Sequence, residues 1–321
     1  MSASDASGAG DIASRDVRFN GPPHASTGMD VLVTGGTGFI GEALCRELDD
    51  RGHDVTALSR SPGDADLPPD VEPVAGDVTE YASIADAFEE HDAVYNLVAL
   101  SPLYKTRGER THERVHLGGT KNAVRAAEEG GVSRFVQMSA LDADPRGPTA
   151  YLRAKGNAES AVRESDLEWT IFRPSVVFGD GGEFVGFTKK LTTPHVTALP
   201  GGGKTRFQPI HCGDMVRILA NGLTEEHAGE TYEIGGPETL TLAEVTKLAY
   251  RAEGSSVTIL PVPMSLASVG LTLAGPLPFV PFGPDQARSL RLDNTTADND
   301  IGAFGLDRDD LTTLREYLGV G

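Results

Sequence analysis

The chain has 321 residues, 39% of them apolar, and a formal net charge of -19. A strongly acidic chain with no basic patch excludes a polyanion such as nucleic acid as its partner. No stretch of eighteen uninterrupted apolar residues exists to cross a membrane. Two cysteines, Cys45 and Cys212, exclude a disulfide scaffold or a Cys-rich metal site.

Residues 1–28 are rich in Ser, Ala, Gly and Asp without hydrophobic periodicity, which predicts a disordered extension, with Met29 an alternative start. Short apolar runs and helical patterns then alternate. Strands are predicted at Asp30–Thr34, Asp54–Ser59, Val71–Ala75, Ala93–Ala99, Arg134–Ser139 and Trp169–Arg173. Helices are predicted at Ile40–Arg51, closed by Gly52, and at Tyr81–Glu90, His112–Glu129 and Tyr151–Glu164. This alternation implies an α/β Rossmann fold over 29–178, a doubly wound sheet of parallel strands joined by crossover helices. Beyond Gly179 the pattern loosens into a smaller C-terminal substrate lobe, 179–321, with segments near 205–240 returning to the core. Thr231–Ile234 reads as an extra strand and Leu242–Ala252 as a helix. The apolar, proline-broken Pro263–Pro284 reads as a buried part of the lobe, with a substrate lid or membrane contact as the alternative.

The strongest motif is Thr34-Gly35-Gly36-Thr37-Gly38-Phe39-Ile40-Gly41, placed directly between a strand and a helix. Gly35 permits the tight turn, Gly38 lets the backbone approach a pyrophosphate, and Gly41 allows close helix–strand packing. Free N–H groups and the positive helix end then face the phosphates of a nicotinamide dinucleotide. A second cluster, Gly201-Gly202-Gly203-Lys204-Thr205, lacks the earlier glycine of a P-loop, since Ala198 stands there, and no strand is predicted before it. It reads as a flexible turn.

The choice of nucleotide follows from the second strand. NAD enzymes place a carboxylate at its end, about 20 residues past the loop, to hold the ribose. Here the strand ends Leu58-Ser59-Arg60. Ser59 can donate to a 2′-phosphate and Arg60 offers a charged fork, which favours NADP(H), with NAD(H) the alternative. Asp77, in Gly76-Asp77-Val78, either reaches the adenine or caps the following helix. The fourth strand carries Asn96-Leu97-Val98-Ala99, where small residues let the cofactor pass.

Tyr151 and Lys155 stand at i and i+4 on one helix face. A phenol has a pKa near ~10, and an ammonium within about 4–6 Å lowers it toward the range of a general base. Ser139, twelve residues before Tyr151 at the end of the fifth strand, is placed to hold a substrate oxygen. The expected catalytic set is therefore Tyr151, Lys155 and Ser139. The expected cofactor set is Gly35, Thr37, Gly38, Phe39, Ile40, Gly41, Ser59, Arg60, Asp77, Val78, Leu97, Val98, Ala99, Lys155, Pro174 and Val176. No metal is expected, and His211 reads as structural.

Together the glycine loop, Gly76-Asp77, Ser139 and Tyr151-x-x-x-Lys155 resemble the extended and atypical branches of the short-chain dehydrogenase/reductase superfamily. Val136–Ala143, Asp285-Gln286 and Asp293-Asn294 are similar to the group holding the NADPH-binding accessory subunit of respiratory complex I and its prokaryotic relatives. That resemblance implies that Arg173-Pro174-Ser175 lies along the nicotinamide. It implies that Gln208-Pro209-Ile210-His211, with Asp214, is where the lobe rejoins the core. His116 stands where many extended members carry an Asn, so it either substitutes in a proton relay or marks its absence. The resemblance implies an oxidoreductase or epimerase. The alternative is a non-catalytic NADPH-binding accessory subunit or redox sensor on a respiratory complex.

The lobe is apolar and favours a small-molecule substrate such as a quinone, lipid or isoprenoid. Lys189, Lys190, Lys204 and Arg206 are the candidates for a sugar-nucleotide diphosphate. The N-terminus has no apolar core of a signal peptide, so a cytoplasmic protein is expected, with peripheral membrane or respiratory-complex contact as an option. Only seven of the 28 basic residues are lysine. Such a surface resembles that of halophilic proteins, whose self-repulsion is screened by salt.

Overall fold

A computed structural model of the chain describes residues 28–103, 106, 108–190, 192–263 and 284–320. In β1 (Asp30–Thr34), Val31, Leu32, Val33 and Thr34 are all fully buried, as a central parallel strand requires. Val31 and Val33 pack among Leu44 and Leu48 of α1 (Phe39–Asp50) and Met215 and Leu219 of α5 (Cys212–Asn221). Leu32 faces the opposite layer, among Ala123, Val124 and Ala127 of α2 (Gly119–Gly130). The sheet is thus covered on both faces.

Its other strands are β2 (Asp54–Ser59), β3 (Glu72–Ala75), β4 (Ala93–Asn96), β5 (Arg134–Met138), β6 (Glu168–Pro174) and, from beyond the lobe's first strands, β11 (Glu230–Ile234). Their order is β11-β6-β5-β4-β1-β2-β3, and every pairing is parallel. This is the doubly wound Rossmann sheet. The order reverses at β1, so the β1/β4 boundary opens a crevice at the strands' carboxyl ends. Thr231–Ile234 does return to the sheet, as the edge strand beside β6.

The remaining described strands pair two by two: β7 (Val177–Phe178) with β10 (Ile210–His211), β8 (His195–Pro200) with β13 (Val257–Val262), and β9 (Arg206–Phe207) with β12 (Leu240–Thr241). With α4 (Glu183–Lys190) and α6 (Leu242–Ala252) they build the smaller lobe, whose core is Phe184, Leu240, Val245, Leu248 and Leu314. Thr241 begins α6 with a reciprocal capping box to Glu244.

Several expected elements differ. Tyr81–Glu90 is not one helix but two short 3₁₀ turns, Tyr81–Ser83 and Ala85–Phe88. The Ser83 hydroxyl donates to the carbonyls of Asp77 and Glu80, so the side chain offers the backbone a turn in place of a helix. The helix expected from His112 opens with a π-helical turn, Glu113–Gly118, before α2 proper, and ends on left-handed Gly131. The fourth strand stops at Asn96; Leu97 keeps one bond to β1, from its N–H to the Thr34 carbonyl at 3.0 Å, and 97–99 line the cleft. A strand, β8, does lead into Gly201–Gly203, contrary to expectation. The three glycines all have positive φ (61°, 74° and 68°) and lead on to β9, a strand, where a P-loop would open a helix. The expected extension and the proline-broken segment fall almost wholly at 1–27 and 264–283, outside the described residues.

Candidate functional site

All the residues expected at the cofactor, together with Ser139, Tyr151 and Lys155, line one cleft of about 910 Å³ at the carboxyl edge of the sheet. The cleft is long, and its two ends differ in chemistry.

The glycine loop forms the middle of its floor. Gly35 has φ 78°, and its N–H and that of Gly36 donate to the Leu58 carbonyl at 2.8 and 3.3 Å. A Cβ at Gly41 would collide with the Gly35 carbonyl oxygen, and one at Gly36 would lie 2.7 Å from the Ala57 Cβ. Only glycine fits either place. Gly38 caps α1 without a side-chain hydrogen bond, so the first-turn N–H groups present a positive helix end to the cleft. This backbone cradle fits a pyrophosphate.

At one end lie Ser59, Arg60 and Asp77. The Ser59 hydroxyl is buried with no partner among the described residues, and Arg60 is exposed. Asp77 takes the capping role: its Oδ1 accepts from the N–H of Thr79 at 3.0 Å and its hydroxyl at 2.8 Å. Burial alone would raise its carboxyl. The Thr79 hydrogen bonds and the nearby Arg110 and Arg60 outweigh that and hold it below its ordinary value. Arg110, which sequence reasoning did not single out, lies 3.5 Å from the Asp77 carboxylate and also lines the cleft.

At the other end α3 (Ala150–Arg163) presents Tyr151 and Lys155. Thr149 caps it by accepting from Leu152 N at 3.2 Å. Lys155 is 2% exposed and donates from Nζ to the Met138 carbonyl at 2.8 Å. Burial lowers its pKa from 10.5 to about 8, opposed by Glu159 one turn on. The same carbonyl accepts from Gln137 Nε2 at 2.9 Å, and Gln137 Oε1 accepts from Asn96 Nδ2 at 2.8 Å. Asn96 Oδ1 in turn accepts from the Thr34 hydroxyl at 2.8 Å. A buried chain of hydrogen bonds thus crosses β1, β4 and β5 and ends at the ammonium.

Tyr151 departs from expectation. Burial pushes its phenol up, where the sequence reading has Lys155 pulling it down. Lys155 directs its hydrogen bond to Met138, and the half-buried Tyr151 lines the cleft. Its ring stands edge-on to His112 and His116, at centroid distances of 5.5 and 5.3 Å, and the two imidazoles stack at 5.5 Å. Burial favours the neutral form of both histidines, with Lys155 adding to the effect. Each has a buried Nδ1 with no partner among the described residues, while His116 Nε2 lies 3.3 Å from both N and O of Leu100. The phenol so raised keeps its proton at neutral pH, and the neutral imidazoles beside it bring no charge to lower it.

Ser139 also differs. Its hydroxyl donates to Glu159 Oε1 at 2.5 Å, and does not hang free over the cleft. Glu159 is 1% exposed and accepts from Arg173 at 2.9 and 2.7 Å and from Arg163 at 3.0 Å. Arg173 therefore braces α3 against β6, and Pro174 and Val176 line the same cleft as Tyr151. Asn294 fixes that stretch: its Oδ1 accepts from the Ser175 hydroxyl at 2.8 Å and from Val176 N at 2.9 Å. Asp285 accepts from Ala150 N at 3.1 Å, at the start of α3.

Sequence reasoning missed Glu159, His112 and Arg110. The first two carried a signal, since Glu159 follows Lys155, and His112 precedes His116, by one helical turn. Arg110 carried none. In the lobe, Lys189 pairs with Glu253, and Arg206 pairs with Asp293 at 2.7 Å. His211 packs on Phe178 and Tyr317.

A family model described as NAD(P)H-binding matches residues 35–197. The mitochondrial NADH dehydrogenase (ubiquinone) 1 alpha subcomplex subunit 9 of Arabidopsis thaliana is 31% identical over 303 residues, spanning 88% of this chain and 74% of that protein. A 3-beta-hydroxysteroid dehydrogenase of Mycolicibacterium neoaurum is 28% identical over 251 residues, 68% of each. Among solved structures, a nucleoside-diphosphate-sugar epimerase from Staphylococcus aureus superposes with a TM-score of 0.70 at 19% identity, over 90% of this chain and 99% of that one. The last of these likenesses concerns the fold alone.

Proposed function

The chain belongs to the NAD(P)H-binding family, and from that premise we propose that it is a short-chain dehydrogenase/reductase of the extended type, an NADP(H)-dependent oxidoreductase or epimerase acting on an apolar carbonyl or alcohol. The observation that carries this reading is the meeting of Tyr151, Lys155 and Ser139 with the glycine loop in one cleft. Bound there, the nicotinamide supplies or accepts the hydride. Tyr151, neutral among the imidazoles, donates its proton to the substrate oxygen in the reductive direction. Lys155, whose Nζ is held at the Met138 carbonyl, would hold the ribose of the bound nucleotide and ties α3 to the end of β5. Ser139 holds the substrate oxygen by exchanging Glu159 for it.

An apolar substrate is supported by Val176, Phe184, Phe207 and Leu292 along the lobe side of the cleft. The pairing of Lys189 and Arg206 leaves a sugar diphosphate fewer cations to bind. Ser59 and Arg60 favour NADP(H). Among the described residues no helix is long and apolar enough to cross a membrane. A cytoplasmic site of action at high salt accords with the acidic composition.

A panel of quinone, steroid and isoprenoid carbonyls with NADPH tests the enzyme reading. Tyr151→Phe keeps the ring packing and should abolish turnover while NADPH affinity stays within about twofold, because only the proton donor is lost. Unchanged turnover refutes the assignment.

One set of contacts favours a second reading. Lys155 and Ser139 are committed to Met138 and Glu159, an arrangement that a protein binding NADPH without turnover could keep. The Arabidopsis relative bears the name of a respiratory-complex subunit. Stoichiometric NADPH binding, silence across the panel and co-purification with a membrane complex would select this reading.

A further inference from the structure

We propose that Arg110 is a specificity residue of the adenosine end, a second cation that with Ser59 and Arg60 takes the 2′-phosphate of NADP(H). The inference rests on the NADP(H) reading and deepens it.

Three observations carry it. First, Arg110 arrives from the segment after β4, whereas Ser59 and Arg60 come from the end of β2, and all three line the same cleft. Second, two of the buried polar side-chain atoms without a partner among the described residues belong to this group: Ser59 Oγ and Arg110 Nε. A buried donor left unsatisfied is costly and uncommon, so two together mark a place built for an acceptor. Third, the anion that Arg110 does face is poorly matched to it. Asp77 Oδ2 lies 3.5 Å from one terminal nitrogen, while Oδ1 of the same carboxylate is held by Thr79.

A phosphate monoester carries up to two charges and three acceptor oxygens. Its oxygens match the donors this part of the cleft leaves open, Ser59 Oγ and Arg110 Nε, with Arg60 beside Asp77 as the other cation. The 2′-hydroxyl of NAD(H) has one oxygen and no charge, so it cannot satisfy the same set of donors. Arg110 is therefore expected to act on the choice between nucleotides and not on dinucleotide binding in general.

The experiment is a fluorescence titration of the full chain with NADPH and with NADH, for wild type and Arg110→Met at one fixed salt concentration. The variant should weaken NADPH about tenfold or more, the loss of one charge-assisted contact, and leave NADH within about twofold. Equal weakening of both nucleotides, or of neither, overturns the role given to Arg110. A wild type that binds NADPH and NADH equally overturns the underlying NADP(H) reading instead. If Arg110→Met does not fold, Arg110→Gln carries the same comparison. Competition by 2′-AMP against 5′-AMP for NADPH-loaded protein gives a readout free of the nicotinamide. A variant that loses its preference for 2′-AMP supports the role, and one that keeps it refutes the role.

Discussion

Lys155→Met is expected to make the nucleotide-free protein more stable while destroying its binding site. Lys155 is 2% exposed, and burial lowers its pKa from 10.5 to about 8. At about 1.36 kcal/mol per pH unit, that depression makes the buried ammonium cost the fold roughly 3 kcal/mol at pH 7. Methionine has a similar length and no charge to desolvate. Met138 O keeps its bond from Gln137, so no carbonyl is orphaned. The substitution should recover about 1–3 kcal/mol, read as a higher urea midpoint with an unchanged m-value.

The sign against pH sharpens the test. A depressed lysine gives the fold its full stability above 10.5, and this is lost as the pH falls to about 8. The advantage of Lys155→Met over wild type should therefore be constant below pH 8 and shrink steadily up to pH 10.5. Urea melts of both proteins at about pH 7, 8, 9 and 10 measure it. A variant less stable than wild type at pH 7, or a difference flat across the range, refutes the reasoning. The nucleotide-induced rise in melting temperature should vanish in the variant.

Gly41→Ala drives a Cβ onto the Gly35 carbonyl oxygen, so the loop must shift. A loss of about 1–3 kcal/mol and of the NADPH-induced thermal shift is expected, while Gly302→Ala, with open space around it, should keep the thermal shift. Burial lowers the pKa of both His112 and His116, that of His112 against the opposing charge of Asp285. Their contribution is complete above the ordinary histidine value of 6.5 and drains away as the pH falls below it. Melting temperatures should therefore drop from about pH 6.5 toward 5, less steeply in His112→Gln. A profile no flatter in that variant would remove His112 from the account.

Much of this site was legible because its chemistry is local. Gly35, Gly38 and Gly41 declare themselves by spacing after a strand, and Tyr151 and Lys155 by one helical turn. Strand ends set the rest: Ser59, Leu97, Ser139 and Pro174 follow apolar runs and arrive at one edge of a parallel sheet for topological reasons. What stayed hidden depends on who meets whom. Nothing near residue 110 announces that its guanidinium faces Asp77, and nothing near 139 announces Glu159. The direction in which Tyr151 titrates also depends on burial, which spacing does not report. Local chemistry misled at 81–90, where Ser83 turns a helical pattern into two 3₁₀ turns. It misled again before Gly201–Gly203. There β8 begins directly after Pro194 and takes its pairing from β13, a partner too distant in the chain for any local pattern to reveal.

Asn294 has a consequence for the order in which the molecule is made. It holds Ser175 and Val176 from 119 and 118 residues further along the chain. During synthesis the glycine loop, β2 and the adenosine end exist well before it, and the strands through β6 can already pair. The Ser175–Val176 stretch is secured only when Asn294 joins. The two walls of the cleft are therefore secured at different times, the glycine-loop wall from the chain's first half and the Ser175–Val176 wall only from its last thirty residues.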